Sequence, residues 1–168
     1  GSAVARRLEH RPGQKGGSQT GPSTVDRGRT ACKRPLIVDG QGVPLAVALT
    51  AANVNDYGQL LPLVDQAGGG VHGAGRFVLA DRGYDSRAVR EGILARGYEP
   101  RIAVRNKHGE GRKRDSLARE RTAIERTFAW LSYMRRLATR WERRADLYLA
   151  FLTLGCAIVC WRRLTRAL

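Results

Sequence analysis

The alternation of apolar and polar positions divides the chain into an ill-patterned start and a well-patterned remainder. Residues 1–32 are poor in large apolar groups and rich in Gly, Arg, Gln and Ser, and the run Gly16-Gly17-Ser18-Gln19-Thr20-Gly21-Pro22-Ser23 reads as an extended loop. From Lys33 the pattern changes. Two apolar runs, Pro35–Val38 and Val43–Leu49, flank Asp39-Gly40-Gln41-Gly42, and Asp-Gly between β-formers predicts a hairpin. Leu60, Leu61, Leu63 and Val64 give one apolar face to a helix ending near Ala67, with Asp56 as its expected cap. A strand over 76–80 leads into the turn Asp81-Arg82-Gly83-Tyr84. A helix from about Ser86 to Arg96 follows, with Val89, Ile93 and Leu94 inward and Gly97 as its stop. Arg101–Val104 reads as a further strand, 105–115 as a charged loop, and 116–134 and 145–166 as helices joined by an arginine-rich turn through Trp141. This order predicts an α/β fold, a mixed sheet with helices packed on it. Two parts are expected, a basic Gly-rich segment over 1–32 and the main domain over 33–168.

Charge sharpens the picture. The chain has 30 Lys+Arg against 15 Asp+Glu, a net charge of +15. Only four of the basic residues are lysine, so codon bias accounts for some of the arginine, but not for a twofold excess over acids. Such a surface suits a polyanion, because each phosphate contact releases counterions. Cys32, Cys156 and Cys160 lack further Cys or His ligands nearby and read as buried thiols in a reducing compartment. The longest uncharged stretch, Leu147 to Trp161, falls short of a bilayer span, so it reads as a core helix of a cytoplasmic protein without a membrane partner.

Two acids stand out in this basic chain. Asp81 follows the end of a strand, where open α/β sheets place their sites, although Asp before Gly also serves as an ordinary turn residue. Glu125 flanks the helical stripe Leu117, Ile124, Phe128, Leu131, and taken alone it suits a salt bridge to Arg121 or Arg126 slightly better than a metal. Carboxylates delivered from separate rigid elements are what metal-dependent phosphodiester cleavage requires. Eight arginines lie between 119 and 144. Arg126, Arg135, Arg136, Arg140, Arg143 and Arg144 are the candidates for tracking phosphates, each weighed against a place on a solvated helix face. Trp130, Trp141 and Trp161 are expected in packing rather than in base stacking.

Six collinear segments carry a family resemblance: 21–29, 33–47, 52–56, Leu-Ala-Asp-Arg-Gly-Tyr-Asp at 79–85, Ile-Glu-Arg-Thr-Phe-Ala-Trp-Leu at 124–131, and Arg-Trp-Glu-Arg-Arg at 140–144. Together they resemble the catalytic region of bacterial insertion-sequence transposases of the IS5/IS4-type DDE superfamily. The resemblance implies an RNase H-like fold, a mixed sheet flanked by helices, whose acidic triad binds two Mg²⁺ or Mn²⁺ ions. Asp81 matches the second acid and Glu125 the third, 44 positions on. The first acid precedes a Gly-Ser-x-Val-like segment, which here is Gly1-Ser2-Ala3-Val4, so its match falls one residue before Gly1. The expectation is an N-terminally truncated domain, completed by an upstream portion of the transposase that supplies this Asp. Asp39 is the substitute to test, although the resemblance places it in the hairpin turn. Expected partners are double-stranded DNA (terminal inverted repeats and target) and further copies of the chain on that DNA, in a bacterial, nucleoid-associated setting. The competing readings are a non-catalytic DNA-binding remnant of a decayed element and an RNase H-like nuclease unrelated to mobile DNA.

Overall fold

The computed structural model describes residues 2–5, 9–12, 16–68, 76–102 and 118–167. The element order is β1 Ser2–Ala5, β2 Glu9–Pro12, β3 Gly21–Pro22, β4 Thr30–Arg34, β5 Leu36–Asp39, β6 Pro44–Val47, β7 Thr50–Ala51, α1 Tyr57–Ala67, β8 Phe77–Ala80, α2 Arg87–Ala95, β9 Glu99–Ile102, α3 Ala118–Tyr133, α4 Arg135–Ala138 and α5 Ala145–Ala167. The charged loop expected at 105–115 lies outside the described residues.

A five-stranded sheet runs in the order β6-β5-β1-β8-β9. The pairs β6/β5 and β5/β1 are antiparallel; β1/β8 and β8/β9 are parallel. The expected mixed sheet is present, but its central strand comes from the segment 1–32, expected as a basic Gly-rich part separate from the main domain. Residues 21–34 likewise supply strands, pairing with β2 and β7 in a second, smaller sheet.

Strand alternation divides the main sheet's side chains between two layers. Ala3, Ile37, Ala46, Val78 and Ala80 face α1 and α2, packing with Leu60, Leu63, Val64, Val89 and Ile93. Leu36, Val38 and Leu79 face the other way, onto Ile124, Phe128 and Leu131 of α3, Leu137 of α4, and Tyr148, Leu152, Cys156 and Val159 of α5. The helix α5 is long and apolar enough to cross a bilayer. One face of it is nevertheless core, while Leu147, Leu154, Ile158, Trp161 and Leu164 are exposed on the other. Burial pushes the Cys156 thiol up to about 12; Cys32 is buried as well, whereas Cys160, expected buried, is half-buried.

The hairpin forms where Asp-Gly predicts it. Asp39 Oδ1 accepts from the backbone N–H of Gln41 and of Val43, both at 2.8 Å. Gly42 has φ +87°, and a Cβ there would meet Ala123 O at 2.9 Å, so the hairpin tip both needs a left-handed residue and sits hard against α3.

Several local expectations change. Asp56 does not cap α1 with its side chain; it takes Lys33 Nζ at 2.6 Å, and Asn55 Oδ1 accepts from Tyr57 N–H instead. Leu94 is exposed rather than inward. The strand expected at 101–104 runs from Glu99 to Ile102, with Pro100 tolerated because β9 is an edge strand. Trp141 and Trp161, expected in packing, are 51% and 67% exposed.

Candidate active site

Asp81 leaves the C-terminal end of β8 in extended conformation, φ −66° and ψ 157°. It shares the parity of Leu79, so its side chain starts out on the α3 side of the sheet. Its carboxylate does not cap the turn that follows, and Asp81 is half-buried. The turn is held by other groups. Tyr84 N–H donates to Asp81 O at 2.9 Å, and the Tyr84 ring is buried against α1 and α2. Asp85 Oδ1 accepts from Arg90 Nε at 3.0 Å and Nη2 at 2.8 Å, while Arg90 Nη2 also reaches Ile102 O. Ser86 Oγ accepts from Val89 N–H and starts α2. In the motif Asp81-Arg-Gly-Tyr-Asp85-Ser86, the last three residues fix the loop and leave the first at its mouth.

Glu125 is exposed on α3, one residue after Ile124, which is fully buried in the cluster that contains Leu79. The turn of α3 around it abuts the hairpin: Thr127 Oγ1 donates to Gly42 O at 2.6 Å, and Arg126 Nη2 donates to Gln41 O at 2.9 Å. Both acids thus border one buried cluster, Asp81 from the strand side and Glu125 from the helix side. Asp39 does not join them. Ala3 pairs with both Asp39 and Val78, so Asp39 lies level with Val78, three residues short of Asp81, with an oxygen held by the turn. Among the described residues, no group of three or more His, Cys, Asp or Glu side chains gathers to hold a metal.

The six arginine candidates separate by environment. Arg135 and Arg143 are exposed, and their side chains make no hydrogen bond or ion pair among the described residues. Arg136 pairs with Glu142 at 2.9 Å, and Arg144 takes Asp146 through two bonds, at 3.1 and 2.6 Å. Arg126 is exposed but anchored on Gln41 O. Arg140 requires a correction. It is 1% exposed, and its guanidinium donates to Glu142 O at 2.9 Å, Gln19 O at 3.2 Å and Ser18 O at 2.6 Å, over the Tyr148 ring. It pins the 16–20 loop to the α4–α5 turn, with its donors taken up by backbone oxygens. Ser18 completes that joint by donating its N–H to Arg143 O and accepting from Ala145 N–H at the start of α5.

Sequence reasoning passed over Arg162 and Arg163 as basic residues ending an apolar run. With Trp130 and Val159 they line a cleft between α3 and α5. The available signal was their helical spacing, three and four residues after Val159.

Comparison with known proteins gives three findings. The family profile described as "Transposase DDE domain" matches residues 7–160. The chain is 48% identical over 159 residues to a Burkholderia cepacia protein assigned as the transposase for insertion sequence element IS402, an alignment covering 90% of this chain and 73% of that protein. It also resembles the piggyBac transposase solved as a synaptic complex with hairpin DNA, with TM-score 0.61 and 11% identity, over 95% of this chain and 45% of that one. At that identity the likeness concerns the fold, and the mixed sheet flanked by helices is the RNase H-like arrangement expected.

Proposed function

The chain belongs to the family of DDE-domain transposases of insertion sequences, and from that premise we propose that it forms a catalytic region for metal-dependent DNA strand cleavage and strand transfer, with Asp81 and Glu125 as two of its acids. The observation that carries this reading is the placement of Asp81: it leaves β8 on the α3 side of the sheet, bordering the same buried cluster as Glu125's helix. The IS5/IS4-type assignment is part of the proposal, as are bacterial DNA as partner and assembly of several copies on it.

The donor set fits a hard divalent cation. Two carboxylates on separate rigid elements, one half-buried and one exposed, suit Mg²⁺ or Mn²⁺, which keep positions open for phosphate and water. When bound, such ions polarise the phosphodiester and lower the pKa of the attacking hydroxyl. The chain's own part is positional. Asp81 is presented by a turn that Tyr84, Asp85 and Arg90 lock, and Glu125 by a helix that Thr127 and Gly42 fix to the hairpin.

The resemblance gives the site a triad, and we propose that a third acid works with these two. On the resemblance it is the Asp matched to the position before Gly1. In a chain that carries the preceding Asp, Asp81→Asn or Glu125→Gln should slow cleavage at least about a thousandfold while DNA affinity stays within about twofold. Unchanged cleavage would remove these two acids from the mechanism.

A further inference from the structure

The cleft between α3 and α5 is lined by Arg162, Arg163 and Trp130, and a third arginine, Arg126, approaches the same ring. Arg126 lies 5.6 Å from the centre of the Trp130 ring and Arg163 lies 5.1 Å from it. Both donate through Nη2 to the same acceptor, the backbone oxygen of Gln41 at the hairpin tip. Arg162 is exposed and lines the same cleft with Trp130 and Val159. Arg163 Nε is buried with no hydrogen-bond partner.

A single carbonyl oxygen orients two cations but cannot neutralise either. No carboxylate among the described residues bonds to Arg126, Arg162 or Arg163. Like charges held this close repel unless an anion joins them, and a buried N–H without an acceptor adds its own cost. The same arrangement is favourable once an oxyanion sits in the cleft. The guanidiniums then have charged acceptors, and Trp130 forms an apolar wall.

We propose that this cleft is a binding subsite for a phosphodiester of the DNA backbone, contacted by Arg162 and Arg163 and walled by Trp130. The inference rests on the reading of the chain as a DNA-cleaving transposase region and deepens it: Arg126 adjoins Glu125 on α3, so a strand seated here passes beside one of the proposed acids. It also divides the arginines by role. Those of the cleft hold a phosphate, whereas Arg140 holds the fold.

The test is fluorescence anisotropy of a labelled duplex with the full chain, in EDTA so that cleavage plays no part, across a salt series. Arg162→Gln is expected to weaken binding about tenfold near physiological salt and to lower the slope of log K against log salt by about one. Arg163→Gln should act likewise. Arg87→Gln, which removes an exposed α2 arginine paired with Glu91, should change neither quantity. A Trp141→Phe/Trp161→Phe chain isolates Trp130 emission, which should shift as the duplex saturates. If wild type binds and Arg162→Gln matches it in affinity and slope, with Trp130 emission unmoved, the subsite is wrong and the transposase reading stands. If the wild-type chain shows no affinity for DNA, the transposase reading falls and the subsite with it.

Discussion

The two layers that cover the main sheet treat arginine in opposite ways. On the α1–α2 side three arginines each have an acid partner: Arg87 takes Glu91, Arg90 takes Asp85, and Arg96 takes Asp65, the last two also reaching the backbone oxygens of Ile102 and Gly92. On the α3–α5 side, Arg126 and Arg163 share Gln41 O, and Arg140 takes the backbone oxygens of Ser18, Gln19 and Glu142. A carboxylate partner cancels the cation's charge; a carbonyl partner fixes its position and leaves the charge in place. Arg136 and Arg144, paired with Glu142 and Asp146, are the exceptions on the second side. The lesson is that counting basic residues does not locate a polyanion surface. What matters is which guanidiniums are both open to solvent and immobilised by neutral acceptors, because these keep a fixed positive field for phosphates.

The largest effect should come from Arg140. Arg140→Met keeps much of the side-chain volume and removes every donor to the four carbonyls, of Ser18 and Gln19 in the 16–20 loop and of Glu142 and Arg143 in the α4–α5 turn. A loss of about 3–5 kcal/mol is expected, because buried acceptors would be stranded. The measurement is urea unfolding of the purified chain. If Arg140→Met matches wild type, carbonyl-bound guanidiniums are not structural here, and the contrast between the layers loses its meaning. The equivalent change on the other layer, Arg87→Gln, should cost no more than a few tenths of a kcal/mol, as for an exposed pair one helical turn apart.

A smaller effect tests how tightly the α3–α5 layer is built. A Cβ at Gly155 would lie 2.8 Å from Leu137 Cδ1, 3.0 Å from Met134 Sδ and 3.1 Å from Leu131 Cδ2. Gly155→Val should therefore cost about 2 kcal/mol by overpacking, more than its change in helix propensity can offset. Thermal melting that is unchanged would show that α5 can slide on α3 and α4. The Trp130 cleft would then lack the rigid walls the phosphate subsite needs.

Much of the candidate site was legible in the sequence, and for local reasons. Asp-Gly set the hairpin, a short apolar run set β8 and hence the place of Asp81, Ser86 set the start of α2, and helical spacing set the face of α3 beside Glu125. What escaped depends on partners remote in the chain. β1 is central because residues 36–39 and 77–80 flank it, and nothing in Ser-Ala-Val-Ala announces that. The fixing of residues 16–20 relies on backbone carbonyls meeting Arg140 more than a hundred residues later, and a carbonyl has no letter in the sequence. For the same reason Arg140 was grouped with the phosphate-tracking arginines, which its neighbours in sequence resemble. The exposure of Trp141 and Trp161 was likewise invisible, since a large aromatic reads as packing whether it stands in a turn or at the end of an apolar helix.

The smallest effect separates the layers by pH. The hydrogen bond from Arg96 holds the Asp65 carboxyl below its ordinary value, and Arg144 does the same for Asp146. A carboxyl whose pKa is lowered on folding adds stability that is complete above its unfolded pKa of about 3.9 and fades as pH falls through the folded value. Both pairs are exposed, so their contribution is slight even at neutral pH. Asp65→Asn should therefore melt marginally below wild type near pH 7, and the gap should close in acid. The oxygen acceptors of Arg140 are backbone carbonyls, which do not titrate, and the Cys32 thiol beside it is held above its ordinary value by burial and stays protonated in acid, so the deficit of Arg140→Met should persist over the same range. A deficit that closed in acid together with that of Asp65→Asn would mean that a carboxylate, not the carbonyls, carries Arg140's contribution, and the two layers would then use arginine alike.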